Sequence, residues 1–325
     1  MRIARAIGAL VLGAGFLFFR LASPYQGFHG VAFVDIPHGA STTTMATLLA
    51  DAGVVRSRWD FLLARLTGRF RVLQAGEYRF DRPATAREVA GRIARGDIFY
   101  YELVVPEGKN MFEIAAAAEQ LGIFPASRFL AAARDPGLIR DLDPNAPTLE
   151  GYLFPDTYKL SRHTTPERLC RIMTAKFREA WRSLDTAASA HDAVTLASLV
   201  EKEGKLPDER PRIAAVFRNR LRIGMKLDCD PTTIYAALLG DRYRGAIHRS
   251  DLDSDDPYNT YRHAGLPPGP IANPGMASMR AALAPSDSDA LYFVLRPGGS
   301  GAHEFSSNIA AHEAAAEKYR RGHKK

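Results

Sequence analysis

The 325-residue chain is 46% hydrophobic and 24% charged, which excludes a disordered protein and supplies apolar material for one large domain or two to three modest ones. Its formal charge of +7 suits anionic surroundings. No basic block longer than the terminal HKK and no nucleic-acid reading module is present, so the expectation is an evenly basic, solvated surface beside an anionic membrane, with no nucleic-acid partner.

The chain opens with an uncharged apolar run over residues 6–19, and residues 3–22 would make about 30 Å of helix, just enough to span a bilayer with Arg5 and Arg20 snorkelling at its ends. Retention as an anchor is favoured over cleavage. Cuts after Ala22 or Ser23 place Arg20 or Leu21 three residues before the cut and Pro24 at or beside the new terminus. Arg2 and Arg5 precede the run, and no basic residue lies between Arg20 and Arg56. The positive-inside rule then places the N-terminus in the cytoplasm and the bulk of the chain across the membrane.

A weak internal repeat follows. Ile36-Pro37-His38-Gly39 aligns with Val105-Pro106-Glu107-Gly108, and at the same offset Met45-Ala46 aligns with Ile114-Ala115 and Gly53-Val54 with Gly122-Ile123. Each half reads as strand, Gly turn, helix and Gly stop, then a second helical run (residues 59–66 and 128–133) and an aromatic segment, GEYRF at 76–80 and EGYLF at 150–154. Such units are either duplicated packing modules or small ligand-binding modules. Residues 85–95 form a further amphipathic helix stopped by Gly96, and 99–105 a strand, which makes 31–105 a compact α+β domain. Residues 165–182 form a basic amphipathic helix with Leu169, Ile172, Met173 and Phe177 on one face.

Residues 196–204, LASLVEKEG, place two carboxylates at the end of an otherwise apolar helix. At about 100° per residue Glu203 shares a row with Leu196 and Leu199, and Glu201 one with Val194 and Ala197. The two glutamates therefore point roughly 200° apart and cannot serve one cleft together. Desolvation over the leucine row would raise the pKa of Glu203, which makes it the better acid. Further on, Pro211 opens a helix stopped at Gly224, and Asp230-Pro231 opens another ending near Gly240. Residues 265–275, GLPPGPIANPG, form a stiff shaped loop. Residues 291–295 and 303–305 form a hairpin, and 309–319 a closing helix. Cys170 and Cys229 lack metal-ligand spacing; they either form one disulfide or stay buried as thiols.

LEGYLFPDTY at 149–158, LASLVEKEG, VFRNRL with GMKLDCDPT, and YNTY with GLPPGPIANPG resemble, in order, the successive signatures of the endolytic murein transglycosylase family. The likeness covers most of residues 31–319. It implies an α+β protein with an N-terminal transmembrane helix within 1–24, a small LysM-like domain over 31–105, and a larger mixed α+β catalytic domain over 106–325 that includes the second repeat-like unit, 105–154. It further implies a single-pass enzyme of the inner membrane, its catalytic domain periplasmic, working beside peptidoglycan synthases on nascent glycan strands. The family assigns the catalytic acid to the second glutamate of EKE, Glu203 here.

A hydrolysing glycosidase needs two carboxyl groups. A lytic transglycosylase lets the C6 hydroxyl of the muramic acid attack its own anomeric carbon, so one tethered nucleophile and one carboxyl suffice, with no metal or cofactor. Candidate substrate contacts are Asn219, Asp230, Tyr258, Asn259 and Tyr261. Asp230 reads equally as the N-cap of the helix opening at Pro231, and the tyrosines equally as packing groups. Glu150 and Asp156 read as structural hydrogen-bonding groups, and His303 as a structural hairpin residue or a substrate contact. Two rivals remain open: a non-catalytic, membrane-tethered glycan-binding scaffold, and a hydrolytic muramidase using Asp230 or Glu201 as second carboxylate.

Overall fold

Strand β1 (Ala32–Ile36) sends Val34 and Ile36 inward and leaves Asp35 in solvent, the period of two that a half-buried strand requires. It belongs to the first of two compact units, Met1–Tyr101 and Glu102–Lys325, in a computed structural model that describes residues 15–16 and 19–322. Both units mix helices with small sheets, each sheet two-stranded. The membrane-spanning helix expected over residues 3–22 falls largely outside the described residues. Among those described, no helix is long and apolar enough to cross a membrane.

In the first unit β1 pairs antiparallel with β2 (Gly76–Phe80), Val34 opposite Tyr78. Helices α1 (Thr42–Asp51) and α2 (Arg58–Thr67) connect the strands, and α3 (Ala86–Arg95) follows them. Each helix starts at a hydroxyl cap: Ser41, Ser57 and Thr85 accept from the backbone N–H three residues on, and Glu88 completes a capping box with Thr85. Leu49, Phe61, Phe80, Val89 and Ile93 close with Val34 and Ile36 into one core.

The second unit begins with the same series: β3 (Tyr101–Val105), α4 (Met111–Gln120), α5 (Ala126–Ala133), β4 (Asp156–Leu160) and α6 (Pro166–Arg182), β3 pairing with β4. Bounds of β1 and α1 moved by 69 residues become those of β3 and α4. The turn glycines Gly39 and Gly108 sit at φ 77° and 78°, a left-handed conformation that a Cβ would strain. Past an insertion the offset becomes 80: Thr85 caps α3 as Thr165 caps α6, and the Tyr78 hydroxyl donates to the carbonyl of Gln74 as that of Tyr158 does to Phe154. The expected pairing of GEYRF with EGYLF is thereby corrected. The repeated strand is Asp156–Leu160, because Tyr158, not Tyr152, takes the place of Tyr78; Tyr152 instead bonds the buried Asp143.

The rest of the second unit surrounds α7 (Ala190–Glu203). With α8 (Arg210–Arg222), α9 (Asp230–Leu239) and α11 (Met276–Leu283) packed on it, α7 is buried at every position from Ala193 to Val200, as a helix apolar all round must be. A short α10 (Arg249–Leu252), the antiparallel hairpin β5 (Tyr292–Leu295) and β6 (His303–Ser306), and α12 (Ile309–Gly322) complete it. Cys170 and Cys229 are both buried free thiols.

The proline-rich loop is held from inside. Asn273 in that loop donates to Glu150 and to the carbonyl of Lys109, and its side-chain oxygen accepts from the N–H of Leu153. Glu150 also accepts from the N–H of Met111, and so joins the start of α4 to the loop. Burial pushes the Glu150 carboxyl up to about 8 against these hydrogen bonds. A carboxyl whose folded pKa is raised binds more protons folded than unfolded above the ordinary range, so stability falls as pH rises from about 4.5 to about 8 and then levels. Melting temperatures between pH 5 and 9 should fall in the wild type and fall less in Glu150→Gln; parallel curves would refute this assignment.

Candidate active site

Helix α7 brings its two carboxylates to the same end but into different surroundings. Glu201 accepts from the Arg210 guanidinium at 3.0 Å and from the N–H of Gly275 at 3.0 Å, with side chains 5% and 11% exposed for Glu201 and Arg210. Arg210 starts α8 and Gly275 precedes α11, so this pair fastens the end of α7 to both neighbours. The Glu201 carboxylate is fully engaged by a cation and an amide.

Glu203 has neither. Its Oε1 accepts from the Cys229 thiol at 3.4 Å, and its carboxyl is raised above the ordinary range, first by burial and then by the nearby Asp230. The Cys229 hydrogen bond and the field of His303 oppose the shift without reversing it. The environment therefore shifts Glu203 toward its protonated form, the direction a general acid needs.

The loop opposite Glu203 is shaped from below by Arg220. Its guanidinium donates to the carbonyls of Leu227, Lys226 and Leu291, which bends the chain through a left-handed Asp228 at φ 47°. Thr260 fixes the next residue: its hydroxyl accepts from the Cys229 N–H at 3.0 Å and meets the Thr232 hydroxyl at 2.9 Å. The buried Cys229 thiol is thus held on the glutamate by backbone bonds rather than by its own affinity. His303, at the start of β6, is fixed by Glu209, whose carboxylate accepts from the His303 N–H at 2.9 Å and lies 2.7 Å from its Nδ1.

Of the residues singled out in the sequence, Asp230 and Tyr261 lie at this site. The Tyr261 hydroxyl donates to Asp230 at 2.7 Å. Asp230 is the first residue of α9, the cap position falls to Cys229, and no side chain caps that end; the N-cap expectation for Asp230 is corrected, its carboxylate being turned to Tyr261. Asn219 and Asn259 face inward. Asn219 donates to the carbonyls of Ser288 and Ala290, and the fully buried Asn259 donates to those of Asp251, Leu252 and Ser254 while accepting from the Tyr261 N–H. Tyr258 packs against Tyr235. These three hold the walls in place. Asp156 pairs with Lys176 on α6. Sequence reasoning missed Cys229, Arg220 and Glu209; an arginine in the middle of VFRNRLR just before a Gly turn was the one available signal.

A groove of about 380 Å³ is lined by Phe112, Ile234, Leu238 and Tyr243 together with Lys202, Glu113 and Pro231, and Glu203 itself is not in its lining. Lys202 and Pro231 are the immediate neighbours of Glu203 and Asp230. Among the described residues no group of histidine, cysteine and carboxylate side chains could hold a metal ion.

A profile of the YceG-like family matches residues 34–318. The endolytic murein transglycosylase of Bacillus subtilis (strain 168) is 32% identical over 333 residues, spanning 95% of this chain and 91% of that protein. That of Streptococcus pneumoniae (strain D39) is 31% identical over 294 residues, 80% of this chain and 53% of the relative. A crystal structure of a YceG-like protein from Listeria monocytogenes superposes with a TM-score of 0.55 at 32% identity, covering 88% of this chain and 99% of that one.

The different surroundings of the two glutamates predict opposite effects on stability near neutral pH. Glu201→Gln leaves the Arg210 guanidinium with only the longer 3.7 Å contact to Glu107 as its carboxylate partner and should cost about 1–3 kcal/mol in denaturant unfolding. Glu203→Gln removes a desolvated carboxyl and should leave stability unchanged or raise it. Equal destabilisation by the two substitutions would contradict the geometry.

Proposed function

The chain belongs to the YceG-like family, and from that premise we propose that it is an endolytic peptidoglycan lytic transglycosylase in which Glu203 is the sole acid and base. One observation carries the assignment of residues: a carboxyl at the end of a buried helix, desolvated and, among the described residues, bonded to a thiol rather than to a guanidinium or ammonium group. The named relatives from Bacillus and Streptococcus support the reaction class.

In this reading the strand binds with a muramic acid–glucosamine linkage over Glu203. The protonated carboxyl gives its proton to the glycosidic oxygen, the bond from that oxygen to the anomeric carbon breaks, and the glucosamine leaves as an alcohol. The muramic acid C6 hydroxyl closes on its own anomeric carbon, and Glu203, now a carboxylate, takes the hydroxyl proton and is restored. The product is a 1,6-anhydromuramyl end, and no water is consumed. Asp230 and Tyr261 offer a carboxylate and a phenol to sugar hydroxyls at the edge of the site, and Phe112 and Tyr243 offer apolar faces to the rings.

Residues 3–22 would anchor the enzyme in the inner membrane with the catalytic unit outside, where strands emerge from peptidoglycan synthases; the strand–helix–helix–strand series of the first unit would serve as the LysM-like module. Cutting there limits strand length. A muramidase reading keeps one supporting observation, the proximity of Asp230 to Glu203, since a second carboxylate could activate water. Glu201 cannot take that role while bound to Arg210.

Digestion of purified glycan strands, with product ends identified by mass spectrometry, separates the readings. The wild type should yield anhydromuramyl ends, and Glu203→Gln should lower the rate by about 10²–10⁴-fold, the usual contribution of a general acid. Reducing ends would establish a muramidase, and strand binding without cleavage would establish a scaffold.

A further inference from the structure

The positive charge of the chain is not evenly spread, contrary to the sequence expectation. Residues 1–101 hold thirteen arginines, no lysine and seven acids, and so carry six of the chain's seven net charges. Much of that excess gathers on one face of the first unit. Arg82, Arg87, Arg92 and Arg95 line one groove of about 490 Å³ on α3, Arg65, Arg69 and Arg71 line a second of about 680 Å³ beside α2, and Phe70 forms a wall of both. Arg92 is paired with Asp97, and Glu88, the one acid in either lining, is turned back to cap α3. Arg69, Arg71, Arg82, Arg87 and Arg95 are exposed.

Apolar side chains stand beside this charge instead of being withdrawn from it. Trp59 and Leu66, seven residues apart and therefore on one side of α2, are 65% and 76% exposed, and Val72 is 70% exposed. The Arg58 guanidinium lies over the Trp59 ring. Guanidinium groups favour phosphate by bidentate hydrogen bonding, while exposed tryptophan and leucine favour the boundary between headgroups and acyl chains. A soluble anionic polymer would satisfy the arginines but not the apolar groups. The position in the chain agrees, because Arg20, which ends the apolar N-terminal run, is bonded at 2.8 Å to Asp60, the neighbour of Trp59 on α2.

We infer that this arginine and tryptophan face of the first unit docks on an anionic phospholipid surface, the grooves taking lipid phosphates and Trp59, Leu66 and Val72 entering the interface. The docking does not depend on the reaction assigned to Glu203. It holds the first unit against the bilayer.

The full-length chain carrying Trp181→Phe keeps Trp59 as its single tryptophan. In nanodiscs whose lipids carry brominated acyl chains, Trp59 emission should be quenched when phosphatidylglycerol is present and not with phosphatidylcholine alone, and high salt should relieve the quenching. Replacing Arg69, Arg71, Arg82 and Arg87 by Gln should lower the docked-to-undocked ratio roughly 600-fold, at about fivefold per arginine, with strand cleavage in solution unchanged. The salt reversal needs no substitution and so stands even if the fourfold variant folds poorly. Equal quenching in both lipids, quenching indifferent to salt, or no quenching in either lipid while a soluble polyphosphate shifts Trp59 emission would each overturn the proposal, the last assigning the face to an anionic polymer.

Discussion

Two glutamates two residues apart on a helix cannot share surroundings, and the organisation of the second unit follows from how that is resolved. Glu201 points to Arg210 and the N–H of Gly275 and becomes an anion that ties three helices together. Glu203 points away, onto a thiol and a loop, and stays desolvated. The first carboxylate fixes the end of α7, and the second can then be left without a partner that would discharge it. Removing a buried ion pair's partner is costly, whereas an uncharged carboxyl in the same protein is tolerated.

The choice of donor facing Glu203 matters for the same reason. A lysine or arginine at position 229 would hold the carboxylate ionised, and a hydroxyl would stabilise the anion more than a thiol does. Cys229 fills the space, gives a weak hydrogen bond and, being buried beside Glu203, keeps its own proton. Its position is imposed by Thr260 and by the Arg220 clamp on the preceding carbonyls. Asp230, bonded to Tyr261, adds a negative field from the next residue, while the Glu209-bound His303 opposes it. The proton affinity of Glu203 is therefore a balance among groups on α7, α9 and β6.

Much of this was legible in the sequence where local rules act. The Gly turns and apolar pairs at a constant offset mark the duplicated strand and helix, and the helical period alone separates Glu201 from Glu203. Local rules were outweighed where two nearby segments competed: EGYLF shares a glycine, a glutamate and an aromatic end with GEYRF, whereas DTYKL shares its order of tyrosine, basic and apolar residue, and the pairing of β3 with β4 decides for the second. They failed for polar side chains that the fold turns inward. Asn219 looks like a sugar-binding amide, yet its donors reach carbonyls 69 and 71 residues away, and Asn259 spends its amide on carbonyls 5 to 8 residues back. Cys229 carried no signal at all, since its contact with Glu203 exists only once α7 and α9 are packed.

The pH dependence of strand cleavage tests the central claim most directly, because the rate should fall as pH rises through the pKa of the acid. The wild-type alkaline limb should lie above the ordinary carboxylate range. Asp230→Asn should move that limb to lower pH by removing a negative neighbour, and Cys229→Ala should move it to higher pH by removing a donor to the ionised form. A limb in the ordinary carboxylate range, or one unmoved by either substitution, would contradict the account and place the acid elsewhere.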